Sequence, residues 1–179
     1  MIVIPTPLGN LVGDDIPIRN AQEALAAYAT LYLERSKSGI LKPTLYDDGS
    51  RAFNFDLPDN WSCSRRFIGC WGKNSASISD QMEVFCGKHS CWTMGCSGQI
   101  YDFELGEGKL PYLLNEVLCA DVRRFTKWRR GPRDVSLANG YLYTCSHEGD
   151  IDFFFGTERI YSPSKQLAYL GQFSGVSVP

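Results

Sequence analysis

From Arg66 onward, apolar and polar residues alternate almost one for one. Met82, Val84 and Cys86 interleave with Glu83 and Phe85, and Trp92, Met94 and Cys96 with Thr93, Gly95 and Ser97. Tyr101, Phe103 and Leu105 then interleave with Asp102 and Glu104. Successive side chains of a strand point to opposite faces, so this rhythm predicts strands with one buried and one wet face. The short polar breaks at 87–90 and 97–98 predict that they form an antiparallel meander. Two more strands are expected near 141–145 and 151–155. Phe53 and Phe55, alternating with Asn54 and Asp56 after the turn signal at 47–50, mark a further hairpin.

Elsewhere the period is helical. Ala21, Leu25, Tyr28 and Tyr32 recur on one face, with Asp15 as the expected N-cap, Pro17 in the first turn and Gly39 as the stop. This predicts a helix over about 17–36. Leu114, Leu118, Val122, Phe125 and Trp128 predict a second, over about 111–130, ended by Gly131 and Pro132. Ile2, Val3 and Ile4 are a short strand candidate, and residues 162–179 read as a partly irregular tail. The expected architecture is α+β: a single domain over 1–179, with a central antiparallel sheet of about five strands and two main helices packed against it.

Composition changes this picture little. With 44% hydrophobic and 21% charged residues, a chain of 179 can bury a core of its own. No basic leader precedes the first apolar run, which Pro5 and Pro7 cut short, and no stretch is long and apolar enough to span a membrane. The expected compartment is therefore the cytoplasm, where thiols stay reduced. Charge is more informative. Arg123, Arg124, Lys127, Arg129, Arg130 and Arg133 form an acid-free run, which leaves 12 of the 18 basic residues against 20 acidic ones elsewhere. A mildly acidic body with one basic patch predicts steering of a partner. Nucleic acid is not the expected partner, because such binders are usually basic overall.

Five of the seven cysteines (Cys63, Cys70, Cys86, Cys91, Cys96) fall within 34 positions, with His89 among them. Cys86, His89, Cys91 and Cys96 are ligands zinc accepts, but they lack the paired-knuckle spacing of structural sites, and no metal or other cofactor is expected. His89-Ser90-Cys91-Trp92 resembles the cysteine signature of papain-like proteases. Gly95-Cys96-Ser97-Gly98, followed by Leu110-Pro111, resembles that of bacterial cell-wall amidases in the same superfamily. The resemblance implies a nucleophile at Cys91 or Cys96 with His147 as base, on a helix beginning at the thiol. The strand-like alternation over 101–105 argues against that helix. Pro5-Thr6-Pro7-Leu8-Gly9-Asn10 resembles the opening of ribosomal RNA methyltransferases, but the glycine-rich loops of that family are absent. Glu148, Asp150 and Asp152, alternating along one expected strand, would share a face.

No catalytic constellation is complete. The function expected is therefore non-catalytic protein binding, in the style of an immunity, antitoxin or viral accessory protein, through segregated acidic and basic surfaces with the six cations of 123–133 as binding residues. The alternative is a papain-like cysteine hydrolase using Cys96 or Cys91 with His147.

Overall fold

The computed structural model describes residues 18–72, 76–105, 109–110, 113–114, 117 and 134–178. The sequence-based strand candidate at 2–4, the Asp15 cap and the methyltransferase-like opening lie outside them, as does most of the expected second helix. Within them the protein is mostly β. Nine strands form one antiparallel sheet: β1 (Thr44–Leu45), β2 (Arg51–Asp56), β3 (Trp61–Trp71), β4 (Ala76–Cys86), β5 (His89–Ile100), β6 (Asp134–Ser136), β7 (Leu142–Gly149), β8 (Phe153–Tyr161) and β9 (Leu167–Ser177). One long helix, α1 (Ala21–Lys37), accompanies them. Among the described residues, the expected five strands and two main helices are thus replaced by nine strands and one long helix, residues 109–110, 113–114 and 117 being also helical.

The physical reasons for the difference are specific. The segment 162–179 is no irregular tail: β9 is fully paired, on β5 along one edge and β8 along the other. Its glycines weaken the local strand signal, yet they lie where neighbouring aromatic rings need the space. The strand expected over 101–105 is absent, because β5 runs unbroken to Ile100 and residues 103–105 form a 3-10 turn. Asp102 starts that turn by accepting the Glu104 N–H at 2.9 Å.

The strand order is β1-β2-β3-β4-β5-β9-β8-β7-β6. Two meanders, one rising from β1 to β5 and one from β6 to β9, therefore meet at the β5–β9 pair. On β4 and β5, positions 78, 80, 82, 84, 92, 94 and 96 are buried and their neighbours more exposed. A bulge opposite Val84 and Phe85 leaves Cys91 unpaired between Ser90 and Trp92, which keeps Trp92, Met94 and Cys96 on the inner face.

α1 covers the inner face at β2–β4, with Tyr28 edge-on to Phe55 (ring centroids 5.0 Å apart) and Tyr32 edge-on to Phe53 (5.3 Å). Its cap is Asn20, whose Oδ1 accepts the Glu23 N–H, and Gly39 at φ +69° lets two following N–H groups return to the Arg35 carbonyl. The chain entering α1 is tied to the β2–β3 turn: Ile18 N–H donates to Asp59, and Trp61 Nε1 donates to the Ile18 carbonyl. Leu110, Leu113, Leu114 and Val117 are also buried.

Tyr169 crosses two glycines of the sheet. A Cβ at Gly98 would lie 2.3 Å from its ring, and one at Gly171 would lie 2.4 Å from its hydroxyl. Gly95, on the opposite face of β5, meets nothing within 4 Å. Gly98→Ala is therefore expected to lower stability by about 1–3 kcal/mol through overpacking, and Gly95→Ala to change it by less than about 0.5 kcal/mol. Urea unfolding followed by tryptophan fluorescence checks the pair, and equal costs would refute the packing argument.

Candidate functional site

The inner face carries an unusual polar core. Glu158 on β8 is fully buried, and its two carboxyl oxygens collect donors from three other strands. Tyr143 (β7) donates at 2.9 Å, Tyr169 (β9) at 3.0 Å and the Cys96 thiol (β5) at 3.4 Å. Glu158 stands opposite Gly171, which stands opposite Gly98, so two missing side chains leave the lane that the carboxylate and the Tyr169 ring fill. A buried carboxylate persists only where its lone pairs are met, and here the sheet supplies partners from both meanders.

A second buried polar pair lies on the same face. Arg65 (β3) donates through Nε and Nη2 to the two oxygens of Asp80 (β4), at 2.9 and 2.8 Å. This fork-to-fork geometry fixes the guanidinium against the sheet under α1. Burial works against the cation, but the adjacent Asp80 charge prevails and holds the guanidinium pKa above its ordinary range. Tyr28, from α1, places its hydroxyl nearby without a hydrogen-bond partner among the described residues, and burial raises its pKa.

The six described cysteines scatter across both faces. Cys63, Cys96 and Cys145 are buried, Cys86 and Cys91 are half-buried, and Cys70 is exposed. Cys91 and Cys96 occupy one strand and face opposite sides, about 17 Å apart along it. Cys86 and His89 flank the β4–β5 turn, so Cys96 is remote from the other three proposed ligands. Among the described residues, no three of His, Cys, Asp and Glu come together as metal ligands.

Nor does the fold bring Cys96 to His147. The two share a row across the sheet, but β9 and β8 intervene with Phe173 and Gly156, a separation of roughly 14 Å at ordinary strand spacing. The Phe173 ring fills the space over Gly156 between them. No helix begins at either thiol.

The carboxylates are also redistributed. Glu148 lies in β7, while Asp150 and Asp152 belong to the β7–β8 loop, where Asp150 Oδ1 accepts the Asp152 and Phe153 N–H groups. An Asx turn thus replaces the expected continuous strand. All three carboxylates are exposed at one end of the outer face. Beside them stand Phe153 and Phe155, 61% and 47% exposed with ring centroids 6.2 Å apart, and Val176, the cross-strand partner of Phe153. Glu83 joins the same end through Thr93, and Lys88 lies on the adjoining turn. This apolar patch with a mostly acidic rim was not legible in sequence, because Phe153–Phe155 reads equally well as core. Arg123, Arg124, Lys127, Arg129, Arg130 and Arg133 lie outside the described residues.

A protein-family model described as a domain of unknown function (DUF5680) matches residues 72–178, more than half of the chain. The chain belongs to this family. The DUF5680 segment spans β4 to β9, and so contains Glu158 with its three donors and the aromatic, acid-rimmed patch; α1 and β1–β3 precede it. No curated protein and no solved structure matches the chain.

Two outcomes are expected from this arrangement. Asp80→Ala leaves the Arg65 guanidinium buried without its carboxylate and should cost about 3–5 kcal/mol in urea unfolding. Among the six described cysteines, iodoacetamide labelling with peptide mapping at neutral pH should modify Cys70 first. Cys63, whose pKa burial raises, should react only on unfolding, together with Cys96 and Cys145. Fast labelling of native Cys96 would contradict its position in the core.

Proposed function

We propose that the protein is a non-catalytic protein-binding domain that recognises its partner through the aromatic, acid-rimmed end of the outer sheet face. The observation that carries this reading is the exposure of Phe153 and Phe155 side by side at one end of a face that is elsewhere mostly Ser, Thr, Gln and charged residues. Covering each ring is worth on the order of 1.5–3 kcal/mol, and contiguous exposed apolar surface with a polar rim marks interaction sites. Glu148, Asp150, Asp152 and Glu83 favour a partner that presents basic residues around an apolar side chain, and disfavour acidic competitors. The basic run at 123–133, outside the described residues, adds a stretch of opposite charge to the same chain. The buried groups support the same reading, since Cys96 and Glu158 are committed to each other inside the sheet.

A photocrosslinker placed at Phe155, in cells that make the protein natively, tests this. A discrete crosslinked protein is expected that is lost in Phe153→Ser and in the charge reversal Asp152→Lys, and that is not captured from a crosslinker at Gln81, elsewhere on the outer face. Crosslinks that are indifferent to both substitutions, or common to both positions, would refute the proposal.

A further inference from the structure

The outer face carries a second feature, distinct from the aromatic patch. Across β3, β4, β5 and β9 the sheet forms a shallow, open groove of about 410 Å³. Its polar lining is Ser77, Ser79, Ser97, Gln99 and Gln172, and none of its lining side chains is charged. The register sets them in two rows. Ser79 pairs with Ser97 and Ser97 with Gln172 in one, and Ser77 pairs with Gln99 in the other. Neighbours within a row are therefore about 4.8 Å apart, and the rows about 6.8 Å apart along the strands.

The chemistry of this lining is selective. The Ser77, Ser79 and Ser97 hydroxyls and the Gln172 amide make no hydrogen bond to other described residues. Gln99 is oriented by its Nε2–H donating to the Ala76 carbonyl at 3.0 Å, which leaves its carbonyl oxygen as an acceptor. Hydroxyls and amides each offer donors and acceptors together, which is what the hydroxyls of a polyol require. An anion or cation would find no counter-charge in the groove, and its apolar lining, Ile68, Ile78 and Leu170 with the Cys70 thiol, is scattered among the polar groups and suits the C–H face of a sugar. Two residues beyond Gln99, Tyr101 is 51% exposed, while Ile100 between them is buried. The Tyr101 N–H donates to the Ala168 carbonyl at 2.8 Å, which continues the β5–β9 pairing by one residue, and strand alternation then sets Tyr101 on the outer face just beyond the groove's lining.

We propose that this groove binds a neutral oligosaccharide, whose hydroxyls bond to Ser79, Ser97, Gln99 and Gln172 and one of whose rings lies against Tyr101. The inference is independent of the protein-binding patch, since it uses different residues and a different ligand chemistry.

Titration of the full chain with a panel of neutral hexasaccharides of glucose, mannose, galactose and N-acetylglucosamine, read by amide chemical shifts, tests it. Hexagalacturonate serves as the charged comparison. At least one neutral sugar should saturate, with shifts confined to the outer face of β3–β5 and β9. Tyr101→Ala, and separately the pair Ser79→Val with Ser97→Val, should each weaken binding about tenfold or more while leaving the melting temperature unchanged. Absence of saturable shifts across the neutral panel, equal binding of hexagalacturonate, or wild-type affinity in both folded variants would overturn the proposal.

Discussion

Everything in this fold depends on the pairing of β5 with β9. Each meander closes locally through hairpins, but each leaves its long strand β5 or β9 paired on one side only until nine residue pairs, from Trp92 with Ser177 to Ile100 with Tyr169, join them. Glu158 makes that junction specific. Its carboxyl group sits on the second meander and takes a thiol donor from β5, the last strand of the first, alongside hydroxyls from β7 and β9. A slip of one residue between β5 and β9 would turn Cys96 outward and drive the Tyr169 ring into a side chain instead of Gly98. The register is thereby held by buried chemistry as well as by backbone hydrogen bonds. Because the joined strands lie far apart in sequence, the junction also carries the loop-closure cost that slows folding of non-local sheets.

The same arrangement divides the molecule by face. Inside, polar groups are matched to one another: Arg65 to Asp80, and Glu158 to two tyrosines and a thiol. Outside, polar groups are presented, and they differ in kind along the strands. At the end formed by the β4–β5 turn and the β7–β8 loop there are exposed aromatics and carboxylates, and across β3, β4, β5 and β9 there are uncharged hydroxyls and amides. The binding role proposed above would use this outer surface, and a nine-stranded sheet with one well-packed face is a stiff support for it.

Much of this was legible before any coordinates. The burial of Met82, Val84, Trp92, Met94 and Cys96, and the face of α1 formed by Leu25, Tyr28 and Tyr32, follow from period two and period 3.6. Those signals survive because each belongs to one element meeting one core. The glycines of β9 spoiled the same analysis at the C-terminus. Gly171 and Gly175 look like loop residues in sequence, but each stands where an aromatic ring from a neighbouring position, Tyr169 or Phe154, occupies the missing side chain's place. Asp150 and Asp152 misled in the opposite direction, since alternation of acids with Ile151 and Phe153 imitates a strand while Asp150 is closing a turn on its own backbone.

The sequence by itself determined the local matters: where chain segments alternate, where α1 runs and stops, that the charge is unevenly spread, and that Cys86, Cys96 and Cys145 lie within strand-like stretches. Only the tertiary structure decided which segments are neighbours. It parted Cys96 from His147 by two strands, joined Cys96 to Glu158 across 62 positions, and turned Phe153 and Phe155 to the outer face while Phe154 went to the core. The physical reason is that alternation specifies two faces without saying which is buried, and strand order depends on non-local pairing that no local pattern encodes.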